Sequence, residues 1–195
     1  MSGGAAQLYE EDFVRWTEQQ SQALREAAGV GANLPLDWEN LAEEIESLGA
    51  SQRRELRSRL AVILEHLMKL EHSPTIDPRT DWMDTISPTR VNIEYLLEDS
   101  PSLRGELGPM IEKQKPRVAR LATASLFGYG ETVKQLPLPS YTAEQVVGDW
   151  FPGEAPLPGA GRGRSLRRAI YPRCFLKKAA TGSNDALVER FSLST

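Results

Sequence analysis

Cysteine and histidine are nearly absent from this chain: Cys174 stands alone, and His66 and His72 are the two histidines among 195 residues. A single thiol cannot close an internal disulfide, so the chain is not a cross-linked secreted framework. Histidines six apart fall on different faces of a helix, whereas paired helical metal ligands sit three or four apart. No metal and no cofactor are therefore expected. No apolar run approaches the ~18 residues of a membrane span, and the opening MSGGAAQLYEEDF lacks a basic stretch followed by an apolar one. A cytoplasmic protein without membrane association is expected. Alternating runs of β-branched residues and internal repeats are also missing, which leaves an all-α protein.

What is present is a substantial apolar fraction, 40%, beside 26% charged residues. A domain of ~150 residues buries roughly 68–70% of the surface of its unfolded chain, enough to stand on its own core. The formal charge of −4 conceals an asymmetry. Residues 154 to 195 carry eight basic and three acidic residues, a balance of +5, and the whole-chain totals of 23 and 27 then leave 15 and 24 in residues 1 to 153, or −9. An acidic body does not offer the clustered cations that a nucleic-acid surface needs.

The first helix is expected from about Leu8 to Ala28, with Glu10, Glu11 and Asp12 in its first turn and Gly29 and Gly31 at its end. Asp37 is a good N-cap for a second helix whose stripe is Leu41, Ile45 and Leu48, and Gly49 suits a left-handed closing position. Ser51 can then cap a third helix, which folds the second and third into an antiparallel hairpin, Leu41 to His72, the organising unit of the chain. Leu56, Leu60, Ile63, Leu67 and Leu70 repeat at helical spacing and Pro74 and Pro78 mark the end. A fourth helical region, Asp81 to Glu98, is interrupted at Pro88, either as a kink or as a fresh start capped by Ser87. Ser100-Pro101 opens a segment that Gly108-Pro109 and Pro116 break into pieces, and Thr142 with Gln145 reads as a capping box for a short helix ending near Gly148. The result is a bundle of five to six helices over residues 7 to 152. Residues 153 to 195, rich in Pro, Gly and Arg, read as a largely disordered basic tail with at most a short helix from Ala186 to Phe191.

The succession LYEEDFVRWTEQQ at 8 to 20, DWENLAEEIESLG at 37 to 49, LRSRLAVILEHLMKLEHSP at 56 to 74, Trp82, Thr85-Ile86, Arg90, IEYLLEDSPSLR at 93 to 104 and YTAEQVVGDWFP at 141 to 152 resembles the bacterial "domain of unknown function 29" family. The resemblance spans about residues 7 to 152 and implies a compact α-helical fold without an assigned activity. Pro88 and Pro116 depart from it, falling where the family reads as continuous helix, and the tail matches nothing in it.

Candidate site residues lie on the hairpin. Arg59 and His66, seven apart, are within about 20° of one another and ~10.5 Å apart along a helix. Their spacing resembles the Arg, four to six residues, His signature of the helical HEPN ribonucleases, which implies His66 as acid or base and Arg59 on phosphate charge. That family has a polar residue after its Arg where this chain has Leu60. The plainer reading pairs Arg59 with Glu55 one turn earlier. Across the expected turn, Glu44 comes within a turn of Arg59 and Asp37 level with His66, which gives a groove of Asp37, Glu44, Arg59 and His66 with Trp82 as lining, or else a polar lock that fixes the hairpin register. Glu39, Glu43 and Glu46 do not share that face. Gly159 to Ser165, GAGRGRS, follows no strand and lacks the Lys-Ser/Thr end of a phosphate loop.

The expected function is a non-enzymatic interaction or scaffold module whose partner is another protein or a second copy. The alternative is a metal-independent ribonuclease using Arg59 and His66, with nucleic acid as partner there or through the basic tail.

Overall fold

In the computed structural model one helix dominates, and it runs through the turn that the sequence places at its middle. The structure describes residues 3 to 153 except 32–33, 77 and 132–134; the tail expected at 153 to 195, with its short helix, lies otherwise outside the described residues. All regular structure among the described residues is helical: α1 (Gly3–Glu11), α2 (Phe13–Gly29), α3 (Trp38–His72), α4 (Arg79–Asp99), a 3-10 turn (Pro101–Glu106), α5 (Leu107–Gly128) and α6 (Ala143–Val147).

The hairpin turn expected at Gly49 and Ser51 is corrected: both residues are inside α3, a helix of 35 residues and ~52 Å. Gly49 is not a stop but a contact. It is buried, and a Cβ built on it would meet Thr17 Oγ1 at 2.3 Å. Thr17 is fixed there by donating its hydroxyl proton to the Val14 carbonyl at 2.7 Å. A glycine inside a helix costs about 1 kcal/mol relative to alanine; here the close approach of α2 is what it permits. A helical hairpin does exist, made by α2 and α3 around residues 30 to 37. Its antiparallel register is fixed by ion pairs from Arg25 to Glu46 and from Arg53 to Glu18.

Asp37 caps α3 as expected, accepting from the Asn40 amide at 3.2 Å, and α3 ends at His72 with Ser73 as its C-cap. The first helix is divided instead of continuous from Leu8 to Ala28. Asp12 leaves the helical conformation and caps α2, accepting from the Arg15 amide at 3.0 Å and, on its other side, from the Ser102 amide at 2.8 Å. One buried carboxylate thus closes two helix N-termini, the reason the break falls there.

Pro88 and Pro116 sit inside α4 and α5, which run through unbroken, so neither a fresh start at Ser87 nor a break into pieces occurs. Each proline removes one backbone donor. Both lie on exposed positions, where solvent can reach the orphaned carbonyl. The Ser87 hydroxyl donates backward to Met83 O at 3.0 Å and so does not cap forward. The capping box of Thr142 and Gln145 is present on α6, which closes at Gly148.

The core forms around the second half of α3. Leu56, Leu60, Ile63, Leu64, Leu67 and Met68 are fully buried against Trp82, Ile86, Ile93 and Leu97 of α4 and Ile111, Val118, Ala122 and Leu126 of α5. Each of the buried Leu, Ile, Val and Met side chains contributes about 1.5–3 kcal/mol of apolar burial. Arg90 of α4 closes the body at its far end. Its guanidinium donates to the carbonyls of Val146 at 3.0 Å, Gln145 at 2.9 Å and Trp150 at 2.7 Å and lies 4.7 Å from the Phe151 ring centre. The planar fork of arginine suits this terminus of α6, whose last carbonyls lack helical partners.

Candidate functional site

Because α3 is continuous, the four polar residues expected in one groove are spread along it. Glu44 and Arg59 are ~22 Å apart along the axis and Asp37 and His66 ~43 Å, taking 1.5 Å per residue. The groove is therefore absent within one copy. Asp37 is occupied as the N-cap, with Asn40 Nδ2 donating to its second oxygen at 2.6 Å. Glu44 is exposed. Trp82, expected as groove lining, is 3% exposed and packs in the core, edge-on to Tyr129 at 6.0 Å between ring centres.

Arg59 and His66 do share one side of α3, each with a local partner. The Arg59 guanidinium is held by Glu55, with N–O distances of 2.5 and 3.1 Å, as the plainer reading of the sequence has it. His66 is half-buried at the edge of the core, and its Nδ1 lies 2.9 Å from the Val62 carbonyl, so Nδ1 carries a proton. Burial holds the His66 pKa below its ordinary value; the Val62 carbonyl works against this and Lys69 adds to it. A neutral ring at pH 7 follows.

The feature that α3 does assemble is a stripe. Asp37, Leu41, Glu44, Leu48, Gln52, Glu55, Arg59, Val62 and His66 recur at spacings of three and four, which places them on a single line along the helix. At its N-terminal end this line is apolar and open: Leu41 is 39% and Leu48 48% exposed, with Ile45 half-buried beside them and Leu34 and Leu36 exposed just before the helix. Their spacing is that of a core face, but α2 covers only the neighbouring side through Ala42 and Gly49.

Two clefts lie elsewhere. One of about 430 Å³ is bordered by Arg120, Thr123, Ala124, Phe127 and Gln135, and one of about 210 Å³ by Leu70, Glu71, Arg79, Trp150, Pro152 and Gly153. Glu71, on the border of the second, accepts the hydroxyl proton of the buried Tyr141, and burial pushes that phenol's pKa well above its ordinary value. Neither cleft joins Arg59 or His66.

The family model described as "Domain of unknown function DUF29" matches residues 8 to 151. The chain belongs to this family. Among solved structures, this DUF29 domain is similar to an α-helical protein of unknown function from Rhodospirillum rubrum, at 27% identity and a TM-score of 0.55, over 73% of this chain and 90% of that one. No curated protein matches. No helix among the described residues of the DUF29 chain is long and apolar enough to cross a membrane.

Arg90 and Gly49 are the structurally decisive residues that sequence reasoning missed. An arginine amid the apolar pattern of α4 was a usable signal, since such a residue is buried only when its donors are met. Gly49 offered none, because a stop and a close approach favour the same residue.

Proposed function

We propose that this DUF29 domain is a non-enzymatic protein-interaction or scaffold module that binds its partner on the open stripe of α3. The observation that carries the reading is the exposure of Leu41 and Leu48 at helical spacing on an ordered helix. An amphipathic line left uncovered lowers its free energy by pairing with another apolar surface. Residues 7 to 152 are the functional unit in this reading, acting in the cytoplasm of a bacterium; that no helix among the described residues is long and apolar enough to cross a membrane and the similar structure from Rhodospirillum rubrum agree with it.

The ribonuclease reading has one observation in its favour, the shared side of Arg59 and His66. Two features count against it: Arg59 is already neutralised by Glu55, and the depressed His66 pKa leaves little imidazolium to act as an acid at neutral pH. Structured RNA incubated with the full chain and with His66→Ala tests it, and cleavage by the first alone would establish it.

The interaction reading is tested by a photo-crosslinking residue placed at Leu48 and, as control, at Arg117, an exposed residue of α5. A defined protein adduct from Leu48 alone, lost on Leu41→Glu, is the expected result. Equal labelling from both positions, or none, overturns the reading.

A further inference from the structure

Resting on that reading, we infer that the occupant of the stripe is a second copy of this chain, antiparallel along α3, with Glu44 of each copy facing Arg59 of the other and Asp37 facing His66. The line of residues is self-complementary in sequence. Reversed upon itself about a two-fold axis between Ser51 and Gln52, it sets Asp37 level with His66, Leu41 with Val62 and Glu44 with Arg59. That is an apolar pair and an acid against a base, Glu44 against Arg59, each repeated twice by symmetry, since a two-fold interface uses every contact in both senses; the Asp37 carboxylate meets the His66 ring as an acceptor only once Nε2 takes a proton. Leu48 then lies across the aliphatic stem of Glu55; Gln52, half-buried, accepts from the Ser100 hydroxyl at 2.7 Å within its own copy.

Charge selects this register over the one that stacks leucine on leucine. An axis between Glu44 and Ile45 would bring Leu41 level with Leu48 of the other copy but set the two Glu44 side chains beside one another, like charges in the middle of the contact. The axis near Ser51 instead sets Glu44 level with Arg59, which already carries one carboxylate, Glu55, and can fork to a second. The face is open at Glu44, Leu48 and Glu55, which are exposed, while Gln52, Arg59, Val62 and His66 are half-buried at the border of the core.

The test uses the full chain carrying Cys174→Ser. Glu44→Cys and Arg59→Cys are introduced together. Within one copy the two thiols are ~22 Å apart along a rigid helix, far beyond the Cα separation of about 7 Å that a disulfide tolerates. Oxidation should give a covalent dimer, while Glu43→Cys with Arg59→Cys, on another face, should give none. In sedimentation, Glu44→Arg should raise the dimer Kd by about tenfold or more, and adding Arg59→Glu should restore it. Far-UV dichroism checks that the variants stay helical. A chain that sediments as a monomer at its highest attainable concentration, or charge reversal that is not rescued by its counterpart, overturns the inference. A monomer that still gives a defined adduct at Leu48 removes the second copy but leaves an interaction module; a monomer without one removes both.

Discussion

The two halves of α3 obey the same rule of spacing and meet opposite fates. From Trp38 to about Ser51 the helix meets α2, through Glu46 and Gly49, and leaves Leu41 and Leu48 largely in solvent. From Arg53 to His72 it passes between α4 and α5, and leucines at the same spacing are wholly buried. Periodicity states which residues share a face. Only the number of packed neighbours decides how much of that face is covered, and therefore how much each side chain contributes. The first half leaves an apolar face open, and the second half holds the fold.

The largest test of this contrast is a matched pair of truncations. Leu64→Ala in the second half opens a cavity in a closed core and should cost about 2–5 kcal/mol. Leu48→Ala in the first half, with a side chain already half in water, should change monomer stability by no more than about 0.5 kcal/mol. Urea melts of the two variants under dilute, monomeric conditions give the comparison directly. Equal losses would mean that the two halves of α3 are covered alike.

At the junction of the halves, Gly49→Ala sets two effects against each other. Alanine gains about 1 kcal/mol of helix propensity, but its Cβ runs into the hydroxyl of Thr17, whose rotamer is held by Val14. Overpacking of this kind costs about 1–3 kcal/mol, so the single variant should be less stable. Gly49→Ala with Thr17→Ala removes the collision and should recover most of the loss. A left-handed glycine would behave differently, since no change at Thr17 could relieve it. Failure of the rescue would therefore favour a stop at Gly49 over a contact.

Asp12→Ala acts where α1 gives way to α2, with a smaller expected effect. It leaves the amides of Arg15 and Ser102 without their carboxylate, and the loss of a cap of this kind costs about 0.5–2 kcal/mol. Asp12→Asn keeps an acceptor oxygen and should lose less. Thermal unfolding of both variants checks the order, and an Asn variant as damaged as the Ala variant would show that charge, not the hydrogen bond, is what α2 requires.

Much of this fold was legible in the chain because much of it is decided locally. Asp37, Thr142 with Gln145, and Gly148 read correctly as caps, since a cap is satisfied within three or four residues of itself. The helical class followed from spacing alone. The misreadings arose where the deciding partner is distant in sequence. Gly49 answers to Thr17, Asp12 to Ser102, and Arg90 to the carbonyls around Val146, none of which a local window contains. The groove expected at Asp37, Glu44, Arg59 and His66 inherited the Gly49 error. Removing the turn spread its members along a single line, and it is the composition of that line, acid to base and apolar to apolar, that brings the same residues opposite one another between two copies.

The smallest expected effect concerns His66, at the border between the open line and the closed core. Its folded pKa is held below the ordinary 6.5 by burial, with Lys69 reinforcing the shift and the Val62 carbonyl and Glu65 opposing it. The unfolded chain therefore binds the proton more readily than the folded one in the interval below pH 6.5. The sign follows: the stability contributed by a neutral His66 is complete above about pH 6.5 and is lost as pH falls toward the depressed folded value. His66→Gln abolishes this titration while leaving a donor for Val62, so the urea midpoint of the variant should fall less steeply between neutral pH and pH 5 than that of the parent chain. Identical slopes would mean that the ring is solvated in both states. A steeper slope in the variant would mean that His66 is held protonated in the fold, against the burial that its place beside Leu67 and Ile63 imposes.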